Sequence, residues 1–439
     1  MTMKKATLLK WLGGALATAC LSANCIAFTQ TTVSVAEPAY NMDQILAPVW
    51  EGDVAYQESV LAVRGTDNQV EPIPLLYPIE EIIEVKHASL SKTYKEGVDY
   101  TVSDGLFVVL EGGDIPVLAN REFHPMSNDL DIKDKNGGYI CFHEGDWFHN
   151  RQIVITYRHS GKYRGYVPEG KADRLPNTLR KLQNKEEEID LLVFGDSISV
   201  GGNASGFLDV APYMPTYSEL FAKGLEEYGV TVNVHNYSVG GQTSTWGATE
   251  IKNVLEKVDD VDLAIVAFGM NDGSLDGYTY LANTTKIWNE IQTKFTDAEA
   301  LLVAPMLPNP DAVGFWKNQV EFYTVLEEYE QTVPTGIAVA NVTKVHETLL
   351  QRKRYADMTG NNVNHANDYL SRVYAQTLLK TMQEYVEEET QPEESVSDLD
   401  EEPAVDNGCG SVVTSVGAVA VVTLGVTAVS VLEKKKKRK

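Results

Sequence analysis

Between Glu188 and Glu384, five short apolar runs alternate with segments of helical period. This alternation constrains the fold more than any other feature of the chain. The runs are Leu191–Phe194, Val230–Val234, Leu263–Phe268, Ala300–Ala304 and Gly336–Ala340. Four of these runs are apolar throughout and suit strands buried on both faces, while Val230–Val234 alternates Val with Thr231 and Asn233. Tyr217 to Tyr228, Trp246 to Val258, Asn283 to Phe295 and Phe315 to Gln331 read as the helices between them, and Asn367 to Glu384 closes the series. A β-α order of this kind predicts an α/β fold with one parallel sheet covered on both faces. Ligands then bind beyond the carboxyl ends of the strands.

The preceding stretch, Glu37 to Gln183, has a different texture. Ser59–Arg64, Ile82–Val85, Leu106–Leu110, Tyr139–Phe142 and Gln152–Tyr157 alternate or run apolar. Turn residues such as Ser103-Asp104-Gly105 and Asn136-Gly137-Gly138 separate them. Short strands at this spacing predict an all-β sandwich or jelly-roll-like domain. The expected organisation is a β domain over residues 37–183 and an α/β domain over 184–386, without internal repeats.

The ends read as topology signals. Lys4, Lys5 and Lys10 precede a largely apolar, small-residue stretch from Trp11 to Phe28, and Ser34-Val35-Ala36 follows. This is the pattern of a signal peptide over residues 1–36, cut after Ala36. Ala17-Thr18-Ala19 before Cys20 matches a lipoprotein signal poorly. Residues 387–410 are strongly acidic with no basic residue, which predicts a disordered, self-repelling linker. Ser411 to Leu432 carries no charge and is long enough for a transmembrane helix. Lys434 to Lys439 follows as a basic tail over 433–439, which the positive-inside rule keeps in the cytoplasm. The expected location is the extracellular face of a bacterial cell membrane, with the membrane as a partner through the C-terminal helix. Cleavage or lipidation at Cys409 is a weaker alternative to a plain anchor. A net charge of −25 excludes nucleic acid as a natural partner. Of the four cysteines only Cys141 lies in the expected globular part, so neither a disulfide framework nor a zinc site is predicted.

Four motifs fall where the α/β reading puts strand ends. Gly195-Asp196-Ser197 follows the first strand, and Ser238-Val239-Gly240-Gly241-Gln242 the second. Gly269-Met270-Asn271-Asp272 follows the third, and Asn361-Asn362-Val363-Asn364-His365 precedes the last helix. They bring a hydroxyl, a base and oxyanion donors to one rim, which is what acyl transfer requires. Any one of them is weak alone; the ordered set over about 200 residues is specific.

In these motifs the sequence resembles the SGNH (GDSL-type) hydrolases. The resemblance implies a flavodoxin-like three-layer domain and a serine esterase that needs no cofactor or metal. Ser197 would be the nucleophile and His365 the general base. Ser197 N–H, Gly241 N–H and the Asn271 side chain would hold the oxyanion. One position departs from the family, which places Asp three residues before the His; here it is Asn362. An Asn can hold the ring but cannot offset imidazolium charge. Three readings stay open: a Ser–His dyad oriented by Asn362 or a backbone carbonyl, a carboxylate from Asp357 or Asp368, or weak catalysis. Asp196 and Asp272 read as structural. Trp246 could stack on a sugar, although a residue opening a helix more often packs. His124, His143 and His149 lack regular metal-ligand spacing.

The two-domain form and the surface location resemble bacterial enzymes that remove acetyl groups from polysaccharides. The expected substrate is therefore an acylated polysaccharide or a small ester. The rivals are a lipase or short-chain acyl esterase, and a glycan-binding surface protein with weakened catalysis.

Overall fold

The computed structural model describes residues 40–185 and 187–384. The expected signal peptide (1–36), acidic linker (387–410), transmembrane helix (411–432) and basic tail (433–439), with Cys20, Cys25 and Cys409, lie outside the described residues. Among the described residues no helix is long and apolar enough to cross a membrane.

The β-rich part contains β1 (Val54–Val63), β2 (Glu81–His87), β3 (Tyr100–Ser103), β4 (Leu106–Val109), β5 (Val117–Leu118) and β6 (Gln152–Arg158). Four of these form a sheet in the order β2-β6-β1-β5, and β3 and β4 form a separate hairpin. The hairpin turns at Asp104 and Gly105, both with positive φ (52° and 72°). Two such residues in succession give a turn whose twist matches the paired strands. Tyr139–Phe142, expected as a strand, is instead loop. Its neighbour is the loop at Ile132, to which Ile140 donates a backbone bond of 3.0 Å, so no ladder extends from it.

The α/β part contains β7 (Glu188–Gly195), β8 (Thr231–Asn236), β9 (Leu263–Ala267), β10 (Glu299–Ala304) and β11 (Ile337–Asn341). All pairings are parallel and the order is β11-β10-β9-β7-β8. Counted within this part, that is the flavodoxin-like order 2-1-3-4-5, with the strand direction of progress reversing between β7 and β9. Side chains alternate between two cores, as a period of two dictates. Leu191 and Val193 of β7 join one core with the helices Tyr217–Glu226 and Asp368–Thr381. Leu192 and Phe194 join the other with Ser244–Leu255, Gly277–Lys294 and Phe322–Thr332. The helix Val342–Leu350 escapes the sequence reading because it starts directly from β11, capped by Asn341 Oδ1 accepting from Lys344 N at 3.0 Å.

The β-rich part and the α/β part share the first of these cores, which runs from Val60, Val85 and Tyr157 to Tyr369 and Leu378. Polar contacts cross the same boundary. Lys353 Nζ lies 2.6 Å from Glu58 Oε1, and both side chains are almost wholly buried. Glu58 also accepts from Leu76 N at 2.9 Å and from the Tyr157 hydroxyl at 2.7 Å. A buried ion pair is weak evidence for net stability, but breaking one leaves an uncompensated charge. Lys353→Ala is therefore expected to destabilise the fold by about 3–5 kcal/mol in urea denaturation. Lys353→Ala paired with Glu58→Gln should recover part of that loss.

Candidate active site

The nucleophile elbow is set by backbone space. A Cβ at Gly195 would lie 2.4 Å from both Ala267 O and Ser199 Oγ, so only glycine lets the chain leave β7 here. Asp196 caps the short helix Ser197–Val200 by accepting from Ile198 N at 3.0 Å. Ser197 is thereby left part-exposed at the carboxyl end of the sheet, at the switch between β7 and β9.

His365 reaches it from the loop that precedes the helix Asp368–Thr381. Its Nε2 lies 3.0 Å from Ser197 Oγ. The loop is wound around Asn361, whose Oδ1 accepts from the N–H groups of Val363, Asn364 and His365 at 3.0, 3.0 and 3.1 Å. On the other side of the ring, Nδ1 bonds Asn203 Oδ1. Asn203 donates through Nδ2 to Gly145 O at 3.1 Å, which fixes its amide orientation. Its Oδ1 can only accept, so Nδ1 carries the hydrogen and Nε2 is free to accept from the Ser197 hydroxyl. Gly202 packs against the ring face: a Cβ there would lie 3.3 Å from His365 Cε1 and Nδ1.

The expected orienting residues lie elsewhere. Asn362 does not reach the ring. Its Oδ1 accepts from Asn309 Nδ2 at 3.2 Å, its carbonyl from the same nitrogen at 2.7 Å, and its backbone sits at φ 62°. Asp357 accepts from Leu61 N at 2.8 Å and pairs with Arg354. Asp368 accepts from Ser205 N at 2.8 Å, holding the loop that follows the nucleophile. The carboxylate beside the ring is Glu144 of the β-rich part, with Oε2 3.6 Å from His365 Nδ1. Burial alone would raise its pKa. The hydrogen bond and charge of His365 and the amides of Asn361 and Asn203 outweigh burial and hold it below the usual range. Asn203 follows the nucleophile motif as Gly201-Gly202-Asn203, a signal the sequence reading passed over. Glu144 carries no local signal at all.

The oxyanion side is assembled at the same rim. Gly269 adopts φ 131°, and a Cβ there would lie 2.6 Å from Pro305 Cγ. The following turn presents Asn271, which donates one amide hydrogen to Gln242 O at 2.9 Å and keeps a second. Gly240 and Gly241 are exposed. The Cβ position of Gly240 faces Ser197 Cβ at 3.8 Å, whereas Gly241, at φ 74°, has open space around its own. Trp246 packs on Phe194 and Phe268, with ring centroids 5.6 and 6.4 Å away, so it serves the core. Among the described residues no cluster of His, Cys, Asp and Glu is placed to hold a metal. His149 instead bonds Ala211 O at 2.7 Å.

Two buried carboxyls stand behind the nucleophile. Asp196 is pushed up to about 7, chiefly by burial, with the Asp272 charge adding to it and the Ile198 N–H opposing. Asp272 is raised by burial as well, and it accepts from Ser244 N and Oγ at 2.9 and 2.7 Å.

A Ser–His pair at the carboxyl edge of a parallel sheet of order 2-1-3-4-5 is thus defined by geometry. Residues 193–372 match the model of the GDSL-like Lipase/Acylhydrolase family. No curated protein matches the sequence. Among solved structures, the chain is similar to a two-domain esterase active on acetylated mannans. That likeness has 18% identity and a TM-score of 0.39, over 52% of this chain and 58% of that one. The chain thus spans little more than half of that esterase. It is also similar to a catalytic mutant of Axe2, an acetylxylan esterase from Geobacillus stearothermophilus. There the identity is 14% and the TM-score 0.37, over 45% of this chain and 95% of that one. For AlinE4, an SGNH-hydrolase family esterase, the identity is 26% and the TM-score 0.28, over 35% of this chain and 76% of that one.

Two outcomes follow from this geometry. Gly202→Ala should tilt the His365 ring and lower kcat by about 10-fold or more, with an unchanged melting temperature, because small misplacements of a catalytic group are costly. Between about pH 4 and about pH 7 the folded protein keeps a proton on Asp196 that the unfolded chain has released. The contribution of Asp196 to stability therefore falls as pH rises through that window. Asp196→Asn keeps the acceptor for Ile198 and should gain stability relative to wild type at pH 8 compared with pH 5, read from urea midpoints.

Proposed function

We propose that the protein is a serine esterase that removes acyl groups, chiefly O-acetyl, from polysaccharides at the outer face of a bacterial cell membrane. The observation that carries the esterase reading is the 3.0 Å contact between His365 Nε2 and Ser197 Oγ, inside a GDSL-like domain. Ser197 Oγ attacks the ester carbonyl while its proton passes to His365 Nε2. The oxyanion is met by the free hydrogen of Asn271 Nδ2 and by the N–H groups of Ser197 and Gly241. The protonated ring then gives its proton to the departing alcohol, leaving an acyl-Ser197. A water attacks that ester, losing its proton to Nε2; the proton returns to Ser197 Oγ as the acid is released. These steps use only side chains and backbone of this chain.

The polysaccharide substrate is supported by the pairing of a β-rich part with the SGNH domain and by the exposed glycine turn beside Ser197. An open rim suits an ester projecting from a polymer. The surface location is supported by the signal-peptide pattern of residues 1–36, the uncharged stretch 411–432 and the basic tail 433–439. The same machinery would serve a short-chain acyl esterase, which makes substrate choice the discriminating measurement.

Acetate release from an acetylated polysaccharide should exceed turnover of p-nitrophenyl octanoate, and Ser197→Ala should abolish both. Asn271→Ala should lower kcat about 10²–10³-fold with little change in KM, as loss of one oxyanion donor does. Preference for the octanoate would replace the polysaccharide reading with the lipase reading. Absence of Ser197-dependent turnover on either would end the esterase reading in favour of a glycan-binding surface protein.

A further inference from the structure

We propose that Glu144, contributed by the β-rich part, supplies the missing negative charge of the relay and acts with Asn203 as the positioning pair for His365, an inference that rests on the esterase reading. Proton transfer from Ser197 to Nε2 turns the ring into a cation, and a hydrolase of this type stabilises that cation from the Nδ1 side. The position that carries Asp in the family is Asn362, and it faces Asn309 instead. On the Nδ1 side stand Asn203 Oδ1, in direct contact, and Glu144 Oε2 at 3.6 Å. Asn203 sets the tautomer and the plane of the ring. Glu144 contributes the charge that a neutral amide lacks.

One turn of chain from the β-rich part organises both residues. Glu144 Oε1 accepts from Asn361 Nδ2 at 3.1 Å, and Asn361 is the residue on which the His365 loop is wound. The next carbonyl, that of Gly145, accepts from Asn203 at 3.1 Å. The turn is pinned on either side by Cys141 and Phe148, which are buried in one cluster with Leu61, Leu118 and Ala356. Trp147 is stacked on His143 and lies beneath the Arg151 guanidinium. Glu144 itself is half-exposed, with 54% of its side-chain surface open, whereas the His365 side chain is 16% open. Water therefore screens the carboxylate, and its effect is smaller than that of a fully enclosed triad acid. On the Ser197 side of the ring stands the Asp196 carboxyl; Asp357 and Asp368 are tied to Leu61 and Ser205.

The test compares wild type, Glu144→Gln, Glu144→Asp and Glu144→Gln with Asn203→Asp, each checked for an unchanged melting temperature. Glu144→Gln keeps the acceptor for Asn361 and removes only the charge. It should lower kcat about 3- to 10-fold with KM nearly constant. The acid limb of kcat/KM should move to lower pH, since the ring has lost a neighbouring anion. A purely structural role for Glu144 would leave that limb in place. Glu144→Asp should fall between the two. Asn203→Asp, which restores a carboxylate at Nδ1, should recover part of the loss in the Glu144→Gln background. The imidazole titration of His365, followed by NMR, needs no substrate. If wild type turns over no ester but this titration still moves to lower pH in Glu144→Gln, the esterase reading fails and the coupling stands. If kcat and the titration are both unchanged in Glu144→Gln, the proposal is overturned. A rise in KM with kcat and the acid limb unchanged would overturn it too, by placing Glu144 on the substrate.

Discussion

The stretch from Lys353 to Asn367 carries His365, is mostly buried, and contains little regular structure beyond the 3-10 turn Tyr355–Asp357. Buried backbone without a helix or strand must find its hydrogen-bond partners in side chains and neighbouring segments. Much of the molecule is arranged to provide them. Gln152 of β6 donates to the carbonyls of Ala356 and Thr359 at 2.9 Å each. The Tyr355 hydroxyl and Asn309 N donate to Val363 O at 3.0 and 2.8 Å. Asn309 Nδ2 serves Asn362 O, and Asn367 Nδ2 bonds Ser59 Oγ at 3.0 Å. The β-rich part therefore supplies bonds that the His365 loop does not make alone. The Glu58–Lys353 pair and the Asp357–Leu61 bond clamp the start of that loop to β1.

Legibility from sequence follows the same division. The strands of the parallel sheet are recoverable because four carry runs apolar on both faces and the edge strand β8 alternates Val with polar residues, so local pattern and tertiary role agree. The largest helix errors sit where that agreement breaks. Phe315 to Gln331 includes the 3-10 turn Asn318–Glu321 before the α-helix Phe322–Thr332 begins. The helix Val342–Leu350 has no connecting loop to announce it. In the β-rich part, Tyr139–Phe142 has the composition of a strand, but its neighbour is a loop, and a strand exists only through its partner.

The site divides similarly. Ser197, Asn271 and His365 are visible because each belongs to a short motif at a strand end or beside the last helix, where backbone geometry and chemistry are encoded together. Gly195 and Gly269 show the backbone side of that coding, since neighbouring atoms leave no room for a Cβ at either. The orienting groups are invisible for the complementary reason. Asn203 is legible only once the turn after Ser197 is known to fold back over the ring. Glu144 meets His365 solely through the docking of one part of the chain on the other, and no window of sequence contains that contact. Asn362 illustrates the converse error. Spacing alone assigns it a role, but with φ at 62° its side chain and carbonyl both meet Asn309.

An amide in contact with Nδ1 and a screened carboxylate just beyond it form a different device from a buried acid on the same loop. A buried anion must be desolvated and held in place, and here two buried carboxyls, Asp196 and Asp272, already stand behind the nucleophile with raised pKa values. A third carboxylate enclosed within the same pocket would add to that repulsion. Placing the charge at the surface of the β-rich part, where Glu144 is half in water, keeps it ionised while the neutral Asn203 provides geometry at the ring. The separation of orientation from charge also makes the centre dependent on both parts of the chain. The bonds that satisfy the His365 loop and the carboxylate that faces its ring come from the same docked surface, so any displacement of the β-rich part would disturb the base and its counter-charge together.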